Sequence, residues 1–569
     1  MAKSLFTIFF VLVGTLFTLG QNTLSGKITD SQGETLPFAN VLVTHYFENG
    51  VKTPQKNQIG TISDIDGDYI LTGISDGKFS VRVIFLGFEN KTFQIDFSGG
   101  VTKLIMNIVL ESGSESLDEI VITSQARGQL KAINQQINSK KIVNVVSADR
   151  IQQNPDANAA ESIGRLPGVT VTREGGEANG IVVRGMQGYH NTTVNGVEIP
   201  VNLTDLSQYA LQNVEVFKSI SADMDAAATA GTVNLRLGTA PNTDATSILA
   251  QGGYSALNNT FDNYKFNINS SWRFLDKKLG VSLNLSTEAT DRSTEILNAG
   301  IGVGDQSIVE GEVLKLATGN VGLTDVDRTV KRNSAILTTD YRFSPLASIE
   351  WSNIVTHSPG GSLNVTRNFS GAGSSYSLDD TMGNNSYNYS SILTAKHLLG
   401  KIKVDYSAAF GYVHNNSVRR RTSFNNLTAY DEVLTLEQRQ TLSHKEFMAL
   451  APMENNIAYI NEYKLTGNTS SQPGFGHNTG EAESINIDTR INFELPYTIG
   501  GSISGNLKWG GRYKHQNSDR ETYGVNKRSH YFSGIIMDNI EVPREDGSLW
   551  NDDFNIAPEF YNDQGHILG

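Results

Sequence analysis

The sequence predicts a mainly β protein: an N-terminal β-sandwich, a small α+β domain and part of a transmembrane antiparallel β-barrel. Three observations carry this. Short β-branched runs separated by turn residues fill 23–111 and recur over 161–237. After residue 240 longer segments alternate apolar and polar side chains. Only 18% of the 569 residues are charged, whereas Gly is abundant at 54, which suits sheets joined by turns.

Composition narrows the function. A formal charge of −13 argues against a nucleic-acid partner, which calls for a concentrated basic surface. Cysteine is absent. That removes disulfides, thiolate metal sites, a cysteine nucleophile and the N-terminal cysteine of a lipoprotein. The 10 His residues are scattered without HExxH or a comparable cluster, so no metal and no cofactor are expected.

Residues 1–20 read as a signal peptide. Lys3 precedes an apolar run over 5–19, and cleavage is expected after Gly20. The run is short for a bilayer helix, which needs about 20 apolar residues. No other long apolar run follows, so a mature chain that spans a membrane must do so as a barrel.

Residues 21–112 form the predicted sandwich, with turns at 30–33, 66–67, 76–77 and 99–100. Two motifs there mislead. Asp64-Ile65-Asp66-Gly67-Asp68 has the look of a calcium loop, but Gly falls fourth and Ser75 sits where the ligating Glu belongs. A turn is predicted instead. Gly73-Ile74-Ser75-Asp76-Gly77 matches a nucleophile elbow, yet an alternating strand follows where that motif needs a helix. No catalytic residue is assigned, and the chain is not expected to be an enzyme.

Residues 113–140 are read as a coupling segment and linker. Leu117, Asp118 and Glu119 lead into Ile120, Val121, Ile122 and Thr123. This extended run can add to the edge of a partner's sheet, or it is one more strand of the sandwich. Gln/Asn-rich sequence over 125–140 reads as a mobile leash. Residues 141–239 form the α+β domain. Short helices are expected after residue 147 and over 156–165, stopped by Pro155 and by Pro167-Gly168. Strands follow from Leu166 and Val169, before Arg184-Gly185, on either side of Asn195-Gly196, over 211–217 and from Gly231. The Asn-Gly pair is a hairpin turn.

Residues 240–569 carry the barrel pattern. Tyr264, Phe266, Ile268, Trp272 and Phe274 fall on one face, and Lys265, Asn267, Asn269, Ser271 and Arg273 on the other. The form repeats over 279–288, 402–412, 485–495 and 507–514. Residues 275–278 and 496–501 are read as periplasmic turns. Residues 293–331 and 422–483 are read as extracellular loops, and the aromatic-rich stretch 369–389 as part of another. About ten to twelve strands are legible, fewer than the about 22 of a plugged barrel. The chain is therefore read as C-terminally truncated.

The pieces over 117–237 resemble, in order and spacing, the plug domain of TonB-dependent outer-membrane receptors, with LDEIVITS resembling the TonB box of the Bacteroidota branch. GKITDSQGETLPFANVLV followed by GTISDIDGDYILTGI resembles the carboxypeptidase-regulatory-like domain that often precedes such plugs. The sequence departs from the commoner plug pattern at 218–225, where KSISADMD replaces Arg-Gly-Pro and is closer to a subgroup that includes oligosaccharide importers. The resemblance implies an active importer in the outer membrane, embedded in lipid, with a periplasmic N-terminal domain. It implies a large scarce ligand, an oligosaccharide ahead of a siderophore, and energy delivered by TonB of the TonB-ExbB-ExbD complex. A surface lipoprotein lid stays open as a partner. Tyr376, Tyr387 and Tyr389 are candidates to stack on the ligand. The alternative is a non-transporting surface receptor, adhesin or signal transducer.

Overall fold

A computed structural model describes residues 22–528, apart from 49–50, 65, 113–123, 140, 153–157, 175, 201, 220, 222–223, 226–227, 303–308, 311–312, 315–316, 345, 371–372, 428–473 and 500–502. The expected signal peptide, the coupling segment 117–123 and the C-terminal DQGHILG lie outside the described residues.

Period-2 alternation in the first domain produces two four-stranded sheets. Asp68–Ile74, Asn22–Asp30, Lys103–Ile105 and Ile108–Leu110 make one; Val51–Ile62, Asn40–Glu48, Lys78–Ile84 and Lys91–Asp96 make the other. Leu24, Ile28, Val41, Leu71, Val81, Phe85 and Phe97 fill the space between them, all essentially inaccessible to solvent. The calcium-like stretch is a turn. Asp64 accepts from the amides of Asp66 and Asp68 at 2.9 Å each, a local side-chain-to-backbone arrangement typical of Asp. The elbow-like stretch joins two strands, Asp68–Ile74 and Lys78–Ile84, with no helix after it.

The polar stretch read as a leash is corrected: Ser124–Asn138 is a helix of 15 residues. Its Asn and Gln side chains are used on two fronts, which is why its polarity reads as linker. Asn134 donates to the carbonyls of Pro37 and Phe38, and Asn138 donates to Phe38. Ala132 packs against Val143, Val145 and Phe217 of the next domain.

That domain has a mixed sheet in the order His190–Val194, Gly231–Leu237, Leu211–Phe217, Val143–Ser147, its first pair parallel. A smaller antiparallel sheet holds Val169–Glu174, Glu177–Val183 and Met186–Gln187. The helices Ala148–Gln152 and Ala159–Gly164 form as the sequence signals require. Asn158 caps the second, accepting from the Glu161 amide at 3.1 Å. Gly231 has φ 137°, and a Cβ there would lie 2.4 Å from the Phe217 carbonyl oxygen. Only glycine allows that close strand approach.

The remainder is a separate two-stranded pair, Val309–Glu310 and Val313–Leu314, and a ten-stranded antiparallel sheet running from Ala245–Ser255 to Ile503–Arg528. These two end strands do not pair with each other among the described residues. Leu275, Asp276 and Lys277, with φ between 52° and 66°, make the tight turn between Thr260–Phe274 and Leu279–Asp291. One face presents Ile248, Tyr264, Phe266, Trp351, Phe410, Ile485 and Trp509, the apolar band of a barrel exterior. The opposite face buries Asn267, Asn284, Thr338 and Asp488.

Two stretches read as loops are largely ladder among the described residues: Thr294–Gly302 and Ala317–Ser344 take up most of 293–331, and Gly373–Leu399 most of 369–389. Of the third, 422–483, Ile402–Leu427 and Gly474–Ile499 take in the two ends, and 428–473 lies outside the described residues. Ala317–Ser344, Gly373–Leu399, Ile402–Leu427 and Gly474–Ile499 have 26 to 28 residues each. At about 3.3 Å per residue such strands outreach an apolar band about 25 Å tall even when tilted. Beyond the band the outer face need not be apolar, so alternation fades while hydrogen bonding continues. Of the turn read at 496–501, the strand Gly474–Ile499 takes the first four residues, and 500–501 lie outside the described residues.

Candidate functional site

The α+β domain sits against the inner face of the curved sheet. Its apolar core runs on into the wall, where Ile336, Ile354, Ile392 and Ala409 join Ile163, Val194, Val216, Val233 and Leu235. Polar clamps surround this shared core. The Asn195-Gly196 turn has φ 49° and 80°, and the flanking Val194 and Val197 exchange two backbone hydrogen bonds of 2.9 Å. It is the two-residue hairpin expected from sequence. It also touches the wall: Asn195 donates to Glu350 at 2.6 Å and to Ser352 at 3.4 Å, and the Gly196 carbonyl accepts from Arg490 at 3.0 Å.

Glu198 follows the turn and meets Arg512 at 2.7 Å and also Lys514. Arg512 bonds Asp225 at 2.8 Å and Asp488 at 2.9 Å as well. Burial pushes the Glu198 carboxyl up, but its hydrogen bonds to Lys514, Arg512 and Asn191 outweigh this and hold it below the ordinary range. On another side Arg332 bonds Glu177 at 2.8 Å and Glu288 at 2.9 Å, with Asp205 3.7 Å away. Burial raises the Asp205 carboxyl. Asn388 donates to the Pro200 carbonyl at 2.9 Å. These groups lie far apart in sequence, so no local motif announces them. The signal that was present is charge at alternate, inward-facing strand positions.

The expected motif residues divide into two groups. Leu166, Pro167, Gly168 and Val169 meet Arg184 and Gly185, for the Arg184 amide donates to the Gly168 carbonyl at 2.8 Å. The Arg184 guanidinium reaches the Lys218 carbonyl at 3.2 Å. Asn195 and Gly196 form the wall contact instead, and Gly231 starts the strand paired with His190. The expectation that Tyr387 and Tyr389 face a ligand is corrected. Asn388 points inward to Pro200, so its neighbours point outward. Tyr387 stacks on His357 at 4.2 Å, and Tyr389 donates to Asn353. Both belong to the outer aromatic belt. Tyr376 has described backbone only, paired with Arg367 and Phe424. Among the described residues one group of metal-ligating side chains converges, His414 with Glu481 and Glu483, on that outer face.

The sandwich meets the inner domain and the wall. Lys396 bonds Asp66 and Asp68 at 2.6 Å each, and Lys403 bonds Asp64. Burial pushes Asp64 up, but the ammonium groups of Lys396 and Lys403 outweigh it and hold its carboxyl below the usual range. A cavity of about 590 Å³ lies at this junction, lined by Lys27, Asp66, Gln135, Arg236, Glu350 and Lys396 among others.

A small mixed domain seated inside a curved antiparallel sheet is the architecture of a plugged barrel. Residues 135–232 match the TonB-dependent Receptor Plug Domain, and residues 24–122 match the CarboxypepD_reg-like domain. The chain thus carries a TonB-dependent receptor plug domain directly after a CarboxypepD_reg-like domain. No curated protein matches it. Solved structures similar to it include the siderophore receptor PiuA from Acinetobacter baumannii, 12% identical over 67% of this chain and 62% of that one, with a TM-score of 0.30. Others are the ferric citrate transporter FecA, at 11%, 69%, 60% and 0.29, and the ferric yersiniabactin uptake receptor FyuA from Yersinia pestis, at 11%, 68%, 62% and 0.29. The chain spans about three fifths of the length of these receptors. Receptors of this family are outer-membrane β-barrels. Among the described residues no helix is long and apolar enough to cross a membrane.

Proposed function

We propose that this chain is the plug-bearing part of a TonB-dependent active transporter that imports a large, scarce ligand across the outer membrane. The observation that carries the reading is the seating of the plug, an apolar core continuous with the wall and ringed by ion pairs. Such a gate stays shut at rest, because leaving the wall strands buried charges. Opening it calls for work from outside the membrane. Residues 117–123, LDEIVITS in part, supply the handle: a β-branched run that TonB pairs with by edge addition. The short-turn end of the sheet and the sandwich face the periplasm, and the long ends of the strands face the medium. The ligand is an oligosaccharide or a siderophore, and a lipoprotein lid is compatible with either.

The test uses cells carrying the full-length protein and two probe sets, fluorescent oligosaccharides and radioiron-loaded siderophores. One probe is expected to accumulate, and Ile120→Pro with Ile122→Pro is expected to abolish accumulation while surface binding persists. Accumulation that survives the prolines overturns the coupling. Binding without accumulation in the unaltered protein points to the non-transporting receptor instead.

A further inference from the structure

The helix Ser124–Asn138 follows directly on residues 117–123 in the chain and lies across the outer side of the plug sheet. It covers a chain of buried polar side chains. Gln135, 5% exposed, donates to Glu215 Oε1 at 2.7 Å. Glu215, 2% exposed, sits on the central strand Leu211–Phe217 and accepts from Asn234 at its other oxygen, at 2.8 Å. Asn234, 6% exposed, turns its own oxygen to Thr193 at 2.9 Å and to the Gly196 amide at 2.8 Å. The next residue back, Asn195, accepts from the Leu237 amide at 3.0 Å and donates to Glu350 of the wall. The bonds therefore run without a gap from the helix, across three strands, to the hairpin held by Glu350 and Arg490.

We propose that Gln135 is a positioning residue that ties the hairpin clamp at Asn195-Gly196 to the helix Ser124–Asn138, so that displacing the helix loosens the plug where it grips the wall. The physical step is the loss of one charge-assisted hydrogen bond. Lifting the helix takes the Gln135 amide from Glu215 Oε1, which leaves Asn234 and the charge of nearby Arg236 as the carboxylate's protein partners. A carboxylate that loses one donor draws harder on those that remain. The cheapest response is for Asn234 to turn toward Glu215, which releases Gly196 and the hairpin. Asn134 and Asn138, on the same helix, bond the sandwich rather than the plug. They hold the helix down at rest and lie off the relay. The inference rests on the proposed coupling only for what pulls the helix.

The test is hydrogen exchange on the purified full-length chain, which needs neither TonB nor ligand. Gln135→Ala is expected to speed exchange over 190–200 and 231–237 by about tenfold. The small sheet 169–183 is expected to keep its protection. Asn134→Ala leaves Asn138 and Ala132 to hold the helix, and is expected to speed 190–200 by much less than Gln135→Ala. Glu215→Gln, which keeps the shape and removes the charge, serves if the alanine variant does not fold, and is expected to speed 190–200 by a smaller factor. Unchanged exchange at 190–200, or an equal rise at 169–183, overturns the relay. Retained accumulation in the Ile120→Pro and Ile122→Pro variant would sink the coupling and leave this result standing.

Discussion

The sandwich and the plug are both β domains of about a hundred residues, but they finish their cores differently. The sandwich closes on itself, and every residue of its apolar cluster comes from between Leu24 and Leu110. The plug does not, because its cluster takes in Ile336, Ile354, Ile392 and Ala409 from the wall. The sandwich is joined to the rest through polar contacts, Asp64, Asp66 and Asp68 with Lys396 and Lys403, and Glu34 with the Asn242 amide. A self-contained domain can be moved as a body. A domain that borrows part of its core is seated only while its host is there.

The sharpest way to break this contrast is Phe97→Ala. Phe97 is fully buried in the sandwich, and the change is expected to cost about 3–5 kcal/mol. Protease cleavage during a urea titration should advance within 22–112 while the plug keeps its protection. Equal loss of protection in the plug would mean that the two are one cooperative unit. Arg332→Ala comes next, at about 3 kcal/mol, because Glu177 and Glu288 lose their shared guanidinium in a buried setting. This loss should appear as release of the plug from the wall at lower urea, with the sandwich unmoved. An unchanged release midpoint would show that the ion pairs ornament an interface held by its apolar core.

The smallest effect sharpens the joint between the regions. Asp64 and Asp66 have carboxyls held below their ordinary value of 3.8, against the desolvation of a partly covered site, by Lys396 with Lys403 and with Arg236 respectively. A depressed carboxyl stabilises docking above the ordinary value and loses that contribution as pH falls through its own lower one. Asp68, raised by burial, takes up its proton first and without loss. Exchange protection of the 64–68 turn should therefore hold from neutral pH down to 3.8 and fall only below it. Loss at mildly acidic pH would show that the ion pairs do not hold the joint.

The sequence made the strands of the sandwich and plug legible because each has one buried face, so period 2 was written into Val, Ile and Leu. Asn195-Gly196 was legible because few pairs tolerate two positive φ values. The upper wall was not, since a strand standing clear of the apolar band carries Ser, Asn, Gly and Thr on both faces and passes for a loop. The helix Ser124–Asn138 was missed for a related reason. Its Asn and Gln residues look like linker composition until their partners, the Phe38 carbonyl and Glu215, are known. The clamp itself was beyond local reading. Arg512 and Glu198 are 314 positions apart, and only the curvature of the sheet brings them together.

The height of the wall has a consequence of its own. A strand of 26 residues rises about 65 Å when tilted near 40°, and the lipid belt accounts for about 25 Å of that. The surplus is a collar whose shape is kept by paired peptide groups rather than by particular side chains. Substitutions there leave the scaffold standing, so the collar can exchange surface chemistry under selection while its contour persists. Two receptors with the same collar can thus display unrelated faces to the world.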